Sequence, residues 1–327
     1  MSKIYNYNLQ MFAGNLNTQT TLLAADKNDL SAEMKTFYSD YLIDNAQPKL
    51  VHEQFGQKHP IPKNGGKTIE FRKYSPLGKM TVPLVEGVTP DGQSLNVSTI
   101  TAEVKQYGGY VTMSDMLLLT AIDNNLVQAT KLLGQQCGAT RDTIVRDVLN
   151  QTNNVVYSGG EEVTTRSALT ADCKLTVDDI KRAVRKLKTM NAEKIGDSFV
   201  AIIHPDLTYD LTNDPAWQAV KDYDPKDWYE GEIGKIAGVR FVETTEAKIV
   251  ADGIYSTLIL GDNAYGVTEI EGGGVEHIVK QLGSAGTADP INQRATAGWK
   301  TTLAAEILVD EYIVRIESKS TFAGKAN

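Results

Sequence analysis

The stretch PKNGGKTIEFRKY, Pro62 to Tyr74, decides the fold. Its G-G-K-T ends like a phosphate-binding loop. Such a loop needs Gly, four residues, then Gly-Lys-Ser/Thr. The first Gly would fall on Ile61. A helix must follow, so that its N-terminal amides face the phosphates. Here Ile69 and Phe71 alternate with Glu70 and Arg72, the period of a strand. Pro60 and Pro62 upstream also withhold amide donors. The segment therefore reads as a turn, Asn64-Gly65-Gly66, opening a strand over Lys67 to Tyr74.

A strand needs a mate, and STITAEVKQYGGYV (Ser98 to Val111) supplies one. Ile100, Ala102 and Val104 share one face; Thr101, Glu103 and Lys105 share the other. Glu70 and Arg72 are expected to face Lys105 and Glu103 across the pair, depending on register. Between the strands lies SPLGKMTVPLVEGVTPDGQSLNV, broken every few residues by Pro76, Gly78, Pro83, Gly87, Pro90 and Gly92. A structureless excursion of that length does not belong inside a compact domain. The two strands are expected to form a long hairpin that leaves the body. A two-stranded ribbon is marginal in water, so it needs a second molecule to lie on.

Upstream, Met1 to Lys27 is rich in Asn, Gln and Thr and has no period, the pattern of an extended arm. Ser31 to Asn45 reads as a helix with Met34, Phe37, Tyr38, Tyr41 and Leu42 on one face. Downstream, Ser114 to Gln151 is a long helical pattern capped at Ser114 or Asp115, stepping through Ile122, Leu126, Ala129, Leu133 and Cys137. Gly134 and Gly138 weaken its middle by roughly 1 kcal/mol each and are candidates for a bend, a break or a close crossing.

Thr176 to Met190 is a helix with a capping box at Thr176 and Asp179 and a buried stripe of Ile180, Val184 and Leu187. Its Lys181, Arg182, Arg185, Lys186 and Lys188 suit an anionic partner or, in an acidic chain, a solvated face. Phe199 to Ile203 is a continuous apolar run, a buried strand. His204-Pro205-Asp206 turns it into a short helix stopped near Pro215. Two Gly-punctuated strand regions follow. Near the end, Trp299, Thr301, Leu303, Ala305, Ile307 and Val309 share a face, and after Asp310-Glu311 the residues Tyr312, Val314 and Ile316 return as a hairpin. Mixed, non-repeating helices and strands give an α+β class.

The totals exclude several functions. The 327 residues carry a net charge of −8, which argues against sequence-independent DNA binding. The longest apolar runs, Met116 to Leu119 and Phe199 to Ile203, fall far short of the ~20 residues of a membrane span. No secretory signal is visible at the N-terminus. Cys137 and Cys173 are far apart, and free buried thiols in a reducing compartment are expected. His52, His59, His204 and His277 form no metal spacing, so no metal site is expected. The acidic run DYDPKDWYEGE fails as a calcium loop because Asp227 stands where Gly is needed and Ile233 where Glu is needed. No nucleophile elbow is present. No catalytic, cofactor-binding or metal residue is expected.

NLQMFA at Asn8 to Ala13, the run from Leu30 to Tyr74, and VEGVTPDGQSL at Val85 to Leu95 resemble the N-terminal half of tailed-bacteriophage major capsid proteins of the N4 type. FVAIIHPDLTYDL, IGKIAGVRFVETT and DPINQRATAGWKTTLAAEILVDEYIVRIE resemble their later segments, so the likeness runs through the whole chain. The resemblance implies a Hong Kong 97-type capsid fold. Residues 1–30 would be the N-terminal arm, 31–55 the first helix and lead-in, and 56–112 the extended hairpin, or E-loop. Residues 113–152 would be the spine helix of the peripheral domain, 153–274 the axial domain, and 275–327 the returning peripheral sheet, closed by the C-terminal hairpin.

The same resemblance implies a non-enzymatic virion subunit, with copies forming pentamers and hexamers of an icosahedral head around DNA. Contacts with neighbours are expected at Phe12 and Leu16 of the arm and Phe37 and Tyr41 of the first helix. In the hairpin they are expected at Ile69, Phe71, Arg72, Leu84, Val85, Ile100 and Val104. Partners by analogy are a separate scaffolding protein, a portal and a decoration protein, with DNA only by proximity and no membrane. Assembly in the host cytoplasm is implied. A Lys–Asn cross-link between subunits cannot be placed. Two other readings are the shell of a cellular nanocompartment with the same fold and an unrelated enzyme using His204, Asp206 or the Gly-rich loops.

Overall fold

The structure is a computed structural model that describes residues 16–17, 51–84, 86–87, 89, 91–120, 125–221, 234–250, 253–284 and 289–322. The expected helix over Ser31 to Asn45, most of the arm, and the acidic run DYDPKDWYEGE lie outside the described residues. In chain order the strands are β1 Leu16–Asn17, β2 Gln57–Lys58, β3 Thr68–Tyr74, β4 Val97–Glu103, β5 Lys105–Ser114, β6 Val155–Tyr157, β7 Phe199–Ile203 and β8 Lys235–Ile236. They continue as β9 Val239–Glu243, β10 Ile249–Val250, β11 Ile254–Leu260, β12 Tyr265–Thr268, β13 Glu276–Lys280, β14 Arg294–Ile307 and β15 Ile313–Ser318. The helices are α1 Asp115–Thr120, α2 Asn125–Leu149, α3 Val177–Thr189, α4 Pro205–Thr212 and α5 Pro215–Lys221.

The described chain forms two units, one holding 106–140 and 273–302, the other 51–105, 141–272 and 303–322. The first is built on the N-terminal part of α2. Leu126, Ala129, Leu133 and Cys137 are its buried stripe, and they pack with Met113, Leu117, Ala297 and Trp299. Ser114 Oγ accepts from the Leu117 amide, the expected cap. The helix runs unbroken through Gly134 and Gly138, so neither glycine breaks it. β13 pairs antiparallel with β14, His277 opposite Trp299. Close approach, not turn geometry, explains Gly298: a Cβ there would lie 2.8 Å from the Tyr110 Cβ and 2.9 Å from the Gly109 carbonyl oxygen.

The larger unit holds the sheet β6-β15-β11-β7-β9-β8, with β10 beside β11. All five residues of β7 and all seven of β11 are buried, as a strand covered on both faces requires. β7 pairs with β9 in parallel and with β11 antiparallel. Against the sheet lies α3, opened by the capping box that Thr176 and Asp179 complete. Its Ile180, Ala183, Val184 and Leu187 join Phe199, Ala201 and Ile203 in one core.

The last strands do not form the expected hairpin. After the turn at Asp310–Tyr312, β15 leaves β14 and inserts between β11 and β6. The alternation of Tyr312, Val314 and Ile316 misled because the residues between them are enclosed too: Ile313 and Glu317 are buried and Arg315 is half-buried. Glu317 is fully buried, and its carboxylate is held by the guanidinium groups of Arg166 and Arg315. Pairing neutralises a charge whose burial alone would be costly.

Candidate assembly surface

The hairpin is antiparallel, with Phe71 opposite Ile100 and Ile69 opposite Ala102. These four residues lie on one face. Ile69 and Phe71 pack there with Ile61, Ala102, Val104, Ile270 and Ala304 of the same chain. Phe71 also meets the His59 ring edge-on at 5.6 Å. Gly266 leaves room for Phe71, whose Cζ would stand 3.1 Å from any Cβ added there. Ile61 ties the lead-in to the body through its amide to Glu269 O and its carbonyl to the Glu271 amide.

This register corrects the expected charge pairing. Glu70 faces Thr101 and Arg72 faces Thr99. Lys67, just before β3, takes Glu103 instead, with Nζ 2.6 Å from Oε1. Their hydrogen bond and mutual attraction raise the Lys67 pKa and lower that of Glu103. Both side chains are exposed, so the pair adds little stability. Buried contacts on the other face fix the register.

A buried polar clamp holds the lead-in to α2. Asp142 Oδ1 accepts from the amides of Val51 and His52, and Oδ2 accepts from His52 Nδ1 at 2.7 Å. Arg141 donates twice to Glu53, at 2.6 and 3.0 Å. The Tyr265 hydroxyl donates to His52 O, and burial pushes its pKa far above the usual phenol range. His52 and Asp142 are fully buried, so this arrangement positions the chain and has no access to a substrate.

Beyond β3 and β4 the hairpin changes character. Residues 75–96 carry no regular structure where described, apart from cross-links such as Ser75 N to Asn96 O and Gln93 Nε2 to Gly78 O, both 3.0 Å. Leu77, Met80, Val82, Leu84 and Leu95 are 56–81% exposed. Exposed apolar side chains concentrated in one segment make it the candidate interaction surface. The other unit exposes Tyr110, Met116, Leu119 and Leu132.

The expected contact residues divide accordingly. Leu84 and Arg72 are exposed, Ile69, Phe71 and Ile100 are half-buried, and Val104 is buried in its own chain's cluster. Val104 is therefore part of the anchor and offers no surface to a neighbour. Phe12, Phe37, Tyr41 and Val85 lie outside the described residues, as does the side chain of Leu16, whose strand pairs in parallel with β5. Sequence reading passed over Leu77, Met80, Val82 and Leu95. Their signal was apolar residues persisting in a stretch too broken by Pro and Gly to bury them. The four residues Tyr110, Met116, Leu119 and Leu132 were also missed; Leu132 gave a signal by lying off the Leu126-Ala129-Leu133 stripe.

The residues of the enzyme reading have structural duties. His204 caps α4 by accepting from the Asp206 amide, and burial lowers its pKa. Asp206 accepts from the Tyr255 hydroxyl. Among the described residues, no group of three or more His, Cys, Asp or Glu could hold a metal, and no helix is long and apolar enough to cross a membrane.

A family model described as phage capsid protein matches residues 97–313. No curated protein sequence matches the chain. Among solved structures, the capsid of Ralstonia phage GP4 superposes with a TM-score of 0.64 at 13% identity, covering 99% of this chain and 100% of that one. The cyanophage Pam1 capsid gives 0.64 at 13%, covering 96% and 100%. The capsid of cyanophage P-SCSP1u gives 0.63 at 14%, covering 83% and 89%.

Proposed function

Because this chain belongs to the phage capsid protein family and has the Hong Kong 97-type α+β fold, we propose that it is the major subunit of a phage head. Copies assemble into pentamers and hexamers, these close into an icosahedral shell around double-stranded DNA, and assembly takes place in the host cytoplasm. One observation carries this reading: a hairpin whose base is packed in its own chain and whose tip exposes five large apolar side chains. The tip lies across a neighbouring copy, which supplies the apolar surface that the hairpin lacks.

Each contact is small, but the tip and arm give every copy several neighbours, and stability accumulates through multivalency. The net charge of −8 leaves the wall without a general attraction for DNA, so the genome is enclosed and not bound. A scaffolding protein sets curvature, a portal takes one vertex, and a decoration protein has the finished surface available. The test is negative-stain microscopy of the expressed chain, with and without a scaffolding protein. Closed shells are expected. Small monodisperse particles under both conditions would overturn the reading.

A further inference from the structure

The exposed face of α3 carries an unexplained charge pattern. Of its five cations, Arg182 is engaged with Asp179 and the carbonyls of Tyr157 and Gly160. Lys186 is half-buried, reaches Val155 O at 3.4 Å, and has its pKa lowered by burial. The remaining three, Lys181, Arg185 and Lys188, are exposed, and their side chains make no ion pair or hydrogen bond among the described residues. Spaced by four and three, they form one row. The row lines an open groove of about 780 Å³, floored by Val184 and closed on its far side by the β8–β9 turn at Ala237 and Gly238. Ala237 and Gly238 both have positive φ, 52° and 81°, the geometry of a tight two-residue hairpin turn.

Three adjacent unpaired cations on an acidic chain make a local positive field that attracts an anionic surface. The same polypeptide carries a matching anion. Asp222, Asp224, Asp227, Glu230 and Glu232 against Lys226 give the run from 222 to 232 a net charge of −4 (5 acidic, 1 basic), half the chain's total of −8. Basic groove and acidic run recur on every copy. Two different patches that complement each other make a head-to-tail contact, and repetition of such a contact gives a ring when the rotation between copies closes. We propose that the groove of Lys181, Arg185 and Lys188 receives the acidic run 222–232 of the adjacent copy within a capsomer. This rests on the shell reading above and specifies one of its contacts.

The experiment mixes light and heavy-nitrogen copies, assembles them, and couples amines to carboxylates with a zero-length carbodiimide. Peptides joining Lys181 or Lys188 to residues 222–232 are expected in mixed-isotope form. Reversal of the row (Lys181→Glu, Arg185→Glu, Lys188→Glu) should lower shell yield by about tenfold, the effect of three exposed ion pairs of ordinary strength. Adding Asp224→Lys, Asp227→Lys and Glu230→Lys to the same chain should restore it. Restoration separates a contact from a folding defect. Shells without the mixed-isotope link, links only within one copy, or no rescue by the combined variant would each overturn this contact and leave the shell reading standing. Retention of a DNA oligonucleotide by the row in assembled shells, in place of the cross-link, would also overturn it. Absence of any shell from the unaltered chain would overturn both.

Discussion

Replacing Met80, Val82 and Leu84 together with Ser separates folding from assembly. In the isolated chain these side chains are 65%, 81% and 75% exposed. Their loss removes almost no buried apolar area, so stability should stay within about 0.5 kcal/mol of the unaltered chain. Against a neighbour the balance reverses. Full burial of such a side chain is worth about 1.5–3 kcal/mol, and roughly three-quarters of that remains to be gained at each site. Even if the contact realises only about 2 kcal/mol in all, each one weakens roughly 30-fold. Repetition around a shell turns that into loss of particles.

Val104→Ala is the reciprocal perturbation. Val104 is 7% exposed, and removing two carbon atoms should cost about 2 kcal/mol of folding stability. It should leave the tip's adhesive surface intact. Urea denaturation of the unassembled chain gives the first quantity, and light scattering with microscopy gives the second. The serine variant should unfold normally and fail to assemble; Val104→Ala should unfold early and still assemble when folded. If the serine variant lost several kcal/mol of stability, or assembled at the normal yield, the division of the hairpin into anchor and adhesive tip would be wrong.

Asp142→Asn should cost about 3 kcal/mol, because the amide would present a donor to His52 Nδ1 inside a fully buried site; an unchanged urea midpoint and unchanged proteolysis near residues 51–58 would refute the clamp. Gly56→Ala should cost about 1–3 kcal/mol by overpacking, since its Cβ would lie 2.5 Å from Tyr265 Cε2 and 2.8 Å from Val267 Cγ2; calorimetry checks it, and a stabilised variant would contradict the crowding. Burial lowers the pKa of His277, so near and below the free-histidine value of 6.5 the unfolded chain binds more protons and stability rises with pH. His277→Gln should therefore flatten the fall in stability between about pH 7 and pH 5; an unaltered slope would assign that fall to other groups.

Local physics made much of this protein legible from its sequence. Alternation at Ile69 and Phe71 is a property of the strand itself, and it identified the hairpin without any partner. The Thr176–Asp179 box and the Ile180-Val184-Leu187 stripe identified α3, and a five-residue apolar run identified β7 as an interior strand. Each depends on neighbours within a few residues, which the sequence displays directly.

Tertiary structure decided what depends on distant partners. Period two established that β15 is a strand, and only the fold could place it between β11 and β6, because Glu317 is buried there solely by virtue of Arg166 and Arg315. The face bearing Val104 was readable, while its burial required Ile61, Ile270 and Ala304 to converge on it. The five cations of α3 looked alike in the sequence, and packing alone occupied Arg182 and Lys186 and left a row of three. Strand and helix follow from intrinsic periodicity, whereas the availability of a side chain to a partner depends on which long-range contacts have already claimed it.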